Sequence, residues 1–329
     1  MRIHQSLSGS VNCLTRGAMA IGNFDGVHLG HQALFESARR AARVLGGSVC
    51  AVTFEPHPAR LLAPHYAPPL ICELPRKREL LQACGVQELV EQPFDAEFMG
   101  TPPSQFVEML IATGAGEIIV GHDFTYGKGR AGTVESLRVA LEERGVRLHV
   151  VPPVAVNGLV CSSTKVREFV LEGRVEAANM LLGRPFDLDG EVVQGAGRGR
   201  ELGWPTANIR TSNELLPAVG VYAVRAHLLG EAAGGEEKKI IFSAGPIAGA
   251  ANLGLNPTFR PDVAQAGGGG RPPLSLEVHL CDFSQDIYGR RLRVEFVHRL
   301  REERRFPGVE ALKEQIAKDV SQARRLLGA

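Results

Sequence analysis

A chain of 329 residues is long enough for two domains of ordinary size, each burying its own core. Its 44% hydrophobic and 22% charged residues suit a globular protein. A formal charge of +1 removes any bulk electrostatic case for nucleic acid or an acidic membrane as partner, so anionic ligands must be met by local groups. Cys13, Cys50, Cys72, Cys84, Cys161 and Cys281 form no CxxC pair, and neither a signal peptide nor a membrane span is read at the start; a reducing compartment, the cytoplasm, is expected.

The first readable element is the apolar run Ala18-Met19-Ala20-Ile21, expected as a buried strand. It leads into Gly22-Asn23-Phe24-Asp25-Gly26-Val27-His28-Leu29-Gly30-His31, after which Leu34, Ala38, Ala41, Ala42 and Leu45 fall at helical spacing. Strand, glycine-rich loop and helix together make a phosphate site, because glycines allow a tight turn and the first helical turn offers unpaired N–H groups at a positive dipole end. His28 and His31, three apart, are expected to share one helical face, with Gly30 leaving room for a nucleotide against the backbone. Such a pair suits nucleotidyl transfer, in which fixed donors meet charge growing around the α-phosphate and no covalent nucleophile is needed. By spacing alone, a surface or metal-binding pair explains it equally well.

Val49-Cys50-Ala51-Val52 is expected as a second buried strand, ending in Thr53-Phe54-Glu55-Pro56-His57-Pro58, a stiff loop at the sheet edge. The basic stretch from Pro75 to Leu81 reads as a solvated helix face. A third strand, Glu117-Ile118-Ile119-Val120, delivers Gly121 to Arg130, whose Phe124 and Tyr126 either pack or cover a flat heterocycle. Asp123 precedes both rings, and Lys128 and Arg130 are exposed loop residues or phosphate contacts. After a helix over 134–144 and a strand over 149–151, Ser162, Ser163 and Thr164 either cap a helix or join Lys165 and Arg167 around an anion.

The HxGH pattern between strand and helix resembles the nucleotidyltransferase superfamily signature, and the full GNFDGVHLGH string resembles prokaryotic bifunctional riboflavin kinase/FAD synthetase proteins. TFEPHP, the GxDFxFG-like string with Tyr126 in place of Phe, and SSTxxR follow in that family's order. The resemblance implies that His28 and His31 are catalytic. It further implies that Gly22, Asn23, Phe24, Asp25, Gly26, Gly30, Asp123, Phe124, Ser162, Ser163, Thr164 and Arg167 bind ATP or FMN.

A helical connector with Val175, Ala178, Leu181 and Leu182 ends at Gly183, where the domain boundary is expected. Beyond it come short alternating runs at 190–193, 219–227, 274–280 and 292–297, the pattern of a small antiparallel barrel. The segment Gly195 to Asn208 has dinucleotide-like glycine spacing, but Trp204-Pro205 forces extended chain where a phosphate-binding helix would be required. A glycine flap carrying Arg198 and Arg200 fits better. Thr206 and Asn208, two apart, point to one side and offer the hard oxygen donors that suit Mg²⁺ shared with phosphates. Alternation sends Leu276, Val278 and Leu280 to one face and Glu277 and His279 to the other, and Glu277 is expected opposite the Mg²⁺ side.

The string GRxLGxPTAN resembles the riboflavin kinase signature, with Trp204 for Phe, and Asn252 to Phe259, Leu276 to Phe283 and Asp286, Tyr288 and Gly289 resemble further parts of that enzyme. It implies ATP or flavin binding by Gly195, Gly197, Arg198, Gly203, Pro205, Thr206 and Asn208, metal binding by Thr206 and Asn208, and Glu277 as base. Arg301 to Leu327 resembles the family's closing helix. The glycine-rich stretches 230–250 and 260–273 are longer than the fold carries and are expected as surface loops.

The expected architecture is therefore α/β plus all-β: a Rossmann-like nucleotidyltransferase domain at 1–183, then an antiparallel β-barrel riboflavin kinase domain at 184–329 with a C-terminal helix. The resemblance implies ATP-dependent phosphorylation of riboflavin to FMN, then adenylation of FMN to FAD with release of pyrophosphate. The expected partners are riboflavin, FMN, ATP and Mg²⁺, with no nucleic acid and no membrane, and with room for a homo-oligomer. Three alternatives remain at this stage: a kinase with a silent N-terminal half, a flavin-binding regulator without chemistry, and a class I aminoacyl-tRNA synthetase. Intact His28, His31, Thr206, Asn208 and Glu277 argue against the second, and the neutral charge and barrel signature against the third.

Overall fold

A computed structural model describes the chain except for Thr15, Ala196, Arg198, Arg200, Glu201 and residues 231–244 and 256–273. Arg198 and Arg200 of the expected flap, most of the two expected surface loops and the end of the 252–259 motif lie outside the described residues. Two compact units are present, Met1–Ser163 and Thr164–Ala329.

In chain order the strands of the first unit are β1 (Arg2–His4), β2 (Ala18–Ile21), β3 (Val49–Glu55), β4 (Glu88–Pro93), β5 (Glu117–Gly121), β6 (Thr125–Tyr126), β7 (Gly132–Thr133), β8 (Arg147–Val151), β9 (Ala155–Val156) and β10 (Leu159–Val160). Six of them form one sheet in the order β1-β4-β3-β2-β5-β8, with every neighbouring pair parallel. Alternate residues feed two cores: Ala18, Ala20 and Ala51 face the helices Leu29–Leu45 and Leu74–Ala83, while Met19, Ile21, Cys50 and Val52 face Pro103–Ala112 and Val134–Glu142. Burial on both faces explains why β2 and most of β3 read as unbroken apolar runs. From β2 the chain winds outward through β3 and β4, then returns to place β5 against β2 on the other side. That reversal opens a crevice beyond the carboxyl ends of β2 and β5, the usual ligand position in such sheets.

The second unit begins with the remainder of the Ser163–Leu171 helix and the helix Val175–Leu182. Its strands are β11 (Phe186–Val193), β12 (Ala207–Arg210), β13 (Gly220–Leu229), β14 (Ile247–Leu255), β15 (Leu274–Leu280) and β16 (Arg291–Arg301), closed as a barrel in the order β11-β12-β15-β14-β13-β16. The helix Val309–Leu327 lays Val320 and Ala323 against the barrel, beside Ala223 and Ala250.

By contacts the chain divides at 163/164, because the Val175–Leu182 helix packs on the barrel: Asn179 Nδ2 donates to Phe296 O (2.9 Å), and Asn179 Oδ1 accepts from Phe186 N (2.7 Å). Two expectations differ from what is found. Residues 247–250 belong to strand β14, which its run of Ala and Gly, poor strand formers, had disguised as loop. The closing helix starts at Val309, since the residues up to Arg301 complete β16 and pair with β13.

Candidate functional sites in the two units

In the first unit the loop after β2 is pinned from several sides. Thr53 Oγ1 donates to Asn23 O (3.0 Å), and the buried Asp25 carboxylate accepts from Ile71 N (3.0 and 3.1 Å) and Cys72 N (3.4 Å). Asp25 is therefore bound to backbone and shapes the loop. Phe24 and Val27 hold left-handed φ values of 51° and 41°, conformations costing about 1–3 kcal/mol each that surrounding contacts must sustain. Phe24 sits wholly buried against Phe35 and edge-on to the His31 ring (centroids 5.4 Å apart).

His28 is the cap of the Leu29–Leu45 helix rather than part of it, and its Nδ1 accepts from His31 N at 3.4 Å. The two rings consequently stack at 3.7 Å with 21° between their planes, instead of standing side by side on a helical face. Gly30 passes close to this stack: a Cβ there would lie 3.0 Å from the His28 ring and 3.4 Å from Cys161 O. Burial, then the neighbouring His28 and the Lys77 charge, push the His31 imidazole well below its ordinary value of 6.5. A neutral ring is thus held at the loop, and its buried Nδ1 has no hydrogen-bond partner among the described residues.

Lys77, expected on a solvated face, is only 7% exposed and points to the sheet edge, where Nζ donates to Glu55 Oε2 (3.1 Å) and Thr53 Oγ1 (3.4 Å). Its neighbours Arg76 and Arg78 pair with Glu79 and Glu91, so the charge run masked one inward residue. A cleft of about 460 Å³ opens beside Gly22, Asn23 and Asp123, walled by Phe54, Phe94, Phe98 and Phe124. Phe124 stacks on Tyr126 (5.9 Å, 15°), while Asp123 is exposed. Phe94 and Phe98 escaped the sequence reading because no spacing links them to the loops, and only folding gathers these rings. Ser163 Oγ donates to Asp25 O (2.9 Å), tying the serine pair to the histidine loop. Thr164, Lys165 and Arg167 fall in the second unit, and Lys165 Nζ is engaged by the Glu168 carboxylate (2.7 and 2.9 Å).

In the barrel unit Asn208 stands opposite Glu277 in the β12–β15 register, and Glu277 stands opposite Asn252 in the β14–β15 register. Directly paired residues project from the same face, so Glu277 shares the side of Asn208 rather than opposing it. Glu277 and Asn252 line a cleft of about 400 Å³ between this face and the C-terminal helix, with Thr206, Trp204, Arg301 and Ile316. A second cleft of about 370 Å³ lies at Val192, Pro205, Ala207, Asp286 and Tyr288, and Thr206 lines both. The glycines of the preceding loop pass close to the two oxygen donors: a Cβ at Gly195 would overlap the Asn208 amide, and one at Gly199 would lie 2.8 Å from Thr206 Oγ1. His279 Nδ1, 2.9 Å from Pro205 O, and its edge contact with Trp204 steady the segment. Gly197 and Gly203, with φ of 73° and 85°, are the turns that return this loop to β12. Among the described residues no three His, Cys, Asp or Glu side chains gather as a metal cluster, and a hydroxyl and an amide fit Mg²⁺ better than a transition metal.

Residues 11–165 match a family model described as FAD synthetase and residues 182–327 one described as riboflavin kinase. The bifunctional riboflavin kinase/FMN adenylyltransferase of Bacillus subtilis is 35% identical over 316 residues, 94% of this chain and 92% of that protein. Its counterpart in Pseudomonas fluorescens is 37% identical over 314 residues, 94% and 93% of the two chains. A crystal structure of a protein described as a macrolide-efflux protein from Streptococcus pneumoniae aligns over 98% of both chains, with a TM-score of 0.83 and 30% identity. No helix among the described residues is long and apolar enough to cross a membrane. The two family models follow one another along the chain that carries the histidine loop on its parallel sheet and the Thr-Asn-Glu face on its barrel, and the curated relatives align over 94% of it: the chain belongs to the bifunctional riboflavin kinase/FMN adenylyltransferase family.

Proposed function

We propose that the two reactions of this family run at two separate sites, one in each unit, with the domain division for function at 1–183 and 184–329. The chain converts riboflavin and ATP to FMN and ADP, and FMN and ATP to FAD and pyrophosphate. The observation that carries the adenylyl-transfer site is the His31 ring, held neutral with a buried Nδ1 that no described residue satisfies.

At that site an FMN phosphate oxygen attacks the α-phosphorus of ATP and pyrophosphate departs. His28, His31 and the first backbone N–H groups of their helix meet the charge that grows on the α-phosphate oxygens. The isoalloxazine lies in the aromatic cleft of Phe54, Phe94, Phe98 and Phe124, whose mixed ring orientations suit a flat heterocycle. Ser162, Ser163, Thr164 and Arg167 hold the polyphosphate. In the barrel, riboflavin occupies the cleft beside the C-terminal helix, because that cleft contains Glu277, which takes the proton of the attacking hydroxyl as the oxygen reaches the γ-phosphorus. ATP occupies the adjoining cleft and the glycine loop, Gly195 to Gly203, with Arg198. Thr206, at the junction of the two clefts, and Asn208 would hold Mg²⁺, which when bound neutralises phosphate charge. All six cysteines are free thiols, in keeping with a cytoplasmic setting, and the partners are these small molecules.

A time course with riboflavin, ATP and Mg²⁺, flavins separated at each point, tests the scheme. FMN should rise first and FAD follow, since only a phosphorylated flavin can attack ATP in the second step; absence of FMN would remove the kinase assignment.

A further inference from the structure

Lys77 is a costly residue to bury, and its surroundings show what the burial achieves. Its helix begins immediately after Ile71 and Cys72, the two backbone donors that hold the Asp25 carboxylate. Its ammonium is bonded to Glu55 and to Thr53, and that threonine hydroxyl in turn holds Asn23 O. The loop carrying the histidines is thus held at Asp25 directly by the backbone of Ile71 and Cys72, and at Asn23 through Thr53, the residue that Lys77 contacts. The charged and titratable groups facing the ammonium are Glu55 on β3 and His31 in the first turn of the Leu29–Leu45 helix; on its own helix Arg76 and Arg78 are engaged by Glu79 and Glu91.

We propose that Lys77 is a positioning residue for adenylyl transfer, its ammonium fixing the Asn23–His31 loop through Thr53 and Glu55 and placing a permanent positive charge behind the histidine pair. A strut alone could be built from apolar side chains; burying a cation with a single carboxylate supplies a field as well as a contact. The field adds to burial and to the neighbouring His28, which do most to keep the His31 ring from taking up a proton of its own and leave it a fixed, uncharged donor. The inference rests on the assignment of the histidine loop to ATP.

The test measures FAD formation from FMN and ATP in Lys77→Met, Lys77→Arg, Thr53→Val and His31→Ala, with riboflavin phosphorylation followed in the same full-length proteins and the His31 ring titrated by NMR. Lys77→Met should lower kcat for FAD by about 100-fold, the scale of a small displacement in an ordered site, and raise the His31 midpoint because a neighbouring cation is gone. Lys77→Arg keeps the charge, so the His31 midpoint should stay low and activity should fall less. Phosphorylation of riboflavin should continue in all four. FAD formation at the parent's level in Lys77→Met, or a loss of it with the His31 midpoint unmoved, overturns the proposal. If the methionine variant does not fold, Thr53→Val decides: an unchanged kcat for FAD overturns the clamp. His31→Ala retaining full FAD formation would instead show that the loop assignment, not Lys77, is at fault.

Discussion

The histidine pair shows how a residue's role depends on a hydrogen bond that spacing cannot reveal. Two histidines three apart promise a shared helical face, yet His28 accepts from the His31 amide and its ring folds over Gly30, giving a stack. Removing one side of that stack should separate the two activities. His31→Ala takes away a preorganised donor and should cost on the order of a hundredfold or more in FAD formation, while FMN formation continues. Glu277→Gln keeps volume and removes the base, so riboflavin phosphorylation should drop about 10²- to 10⁴-fold while supplied FMN is still adenylated. If His31→Ala abolished both activities in a protein folded by circular dichroism, a single coupled site would be required. The His31 ring also carries a pH signature. It takes up a proton near 6.5 when unfolded but only well below that when folded, so the unfolded state binds more protons under 6.5. The contribution is flat above that value, and stability is lost as pH falls from 6.5 toward the folded midpoint. Urea unfolding of the first unit across this range should show a shallower acid loss in His31→Ala than in the parent.

At the level of elements, legibility followed burial. β2 and β5 could be read because both faces of a parallel sheet are covered, making β2 and residues 118–120 of β5 apolar runs, whereas β14 is built largely from Ala and Gly, with Ala250 packed against Val320 and Ala323, without advertising a strand. Alternation along β15 correctly separated Glu277 from Leu276 and Val278, but the side on which it meets Asn208 is a matter of register, set by pairing across the barrel. The connector helices were legible as helices; what they pack on was not, since Val175, Leu181 and Leu182 would look the same against either partner. Their docking on the barrel bears on autonomy. A chain ending after Gly183 keeps the whole parallel sheet and Arg167, and should still adenylate supplied FMN, although it uncovers the apolar faces of both helices. A fragment that is folded yet inert would place the functional boundary elsewhere. Chromatography of the fragment with FMN and ATP settles the point.

For the molecule as a whole, the motifs carried most of the functional reading because each reaction needs particular atoms at short range, and short range is what sequence preserves: GNFDGVHLGH, SSTxxR and GRxLGxPTAN each span one turn of chain. The aromatic cleft, the Lys77 clamp and the Thr206 junction are assembled from distant segments and had no local trace. The closure of the barrel has a further consequence, for misassembly. A barrel with no free edge offers nothing for another chain to extend, whereas the six-stranded sheet ends in β1 and β8. Both edges are guarded. β1 has three residues, with Arg2 and His4 tied to Glu88, and β8 alternates exposed Arg147 and His149 with its inward side. Among the larger sheets, strand-to-strand aggregation in a stressed cell would therefore start at the parallel one, and each of its edges sets an ion pair against it, Arg2 with Glu88 and Arg147 with Glu117.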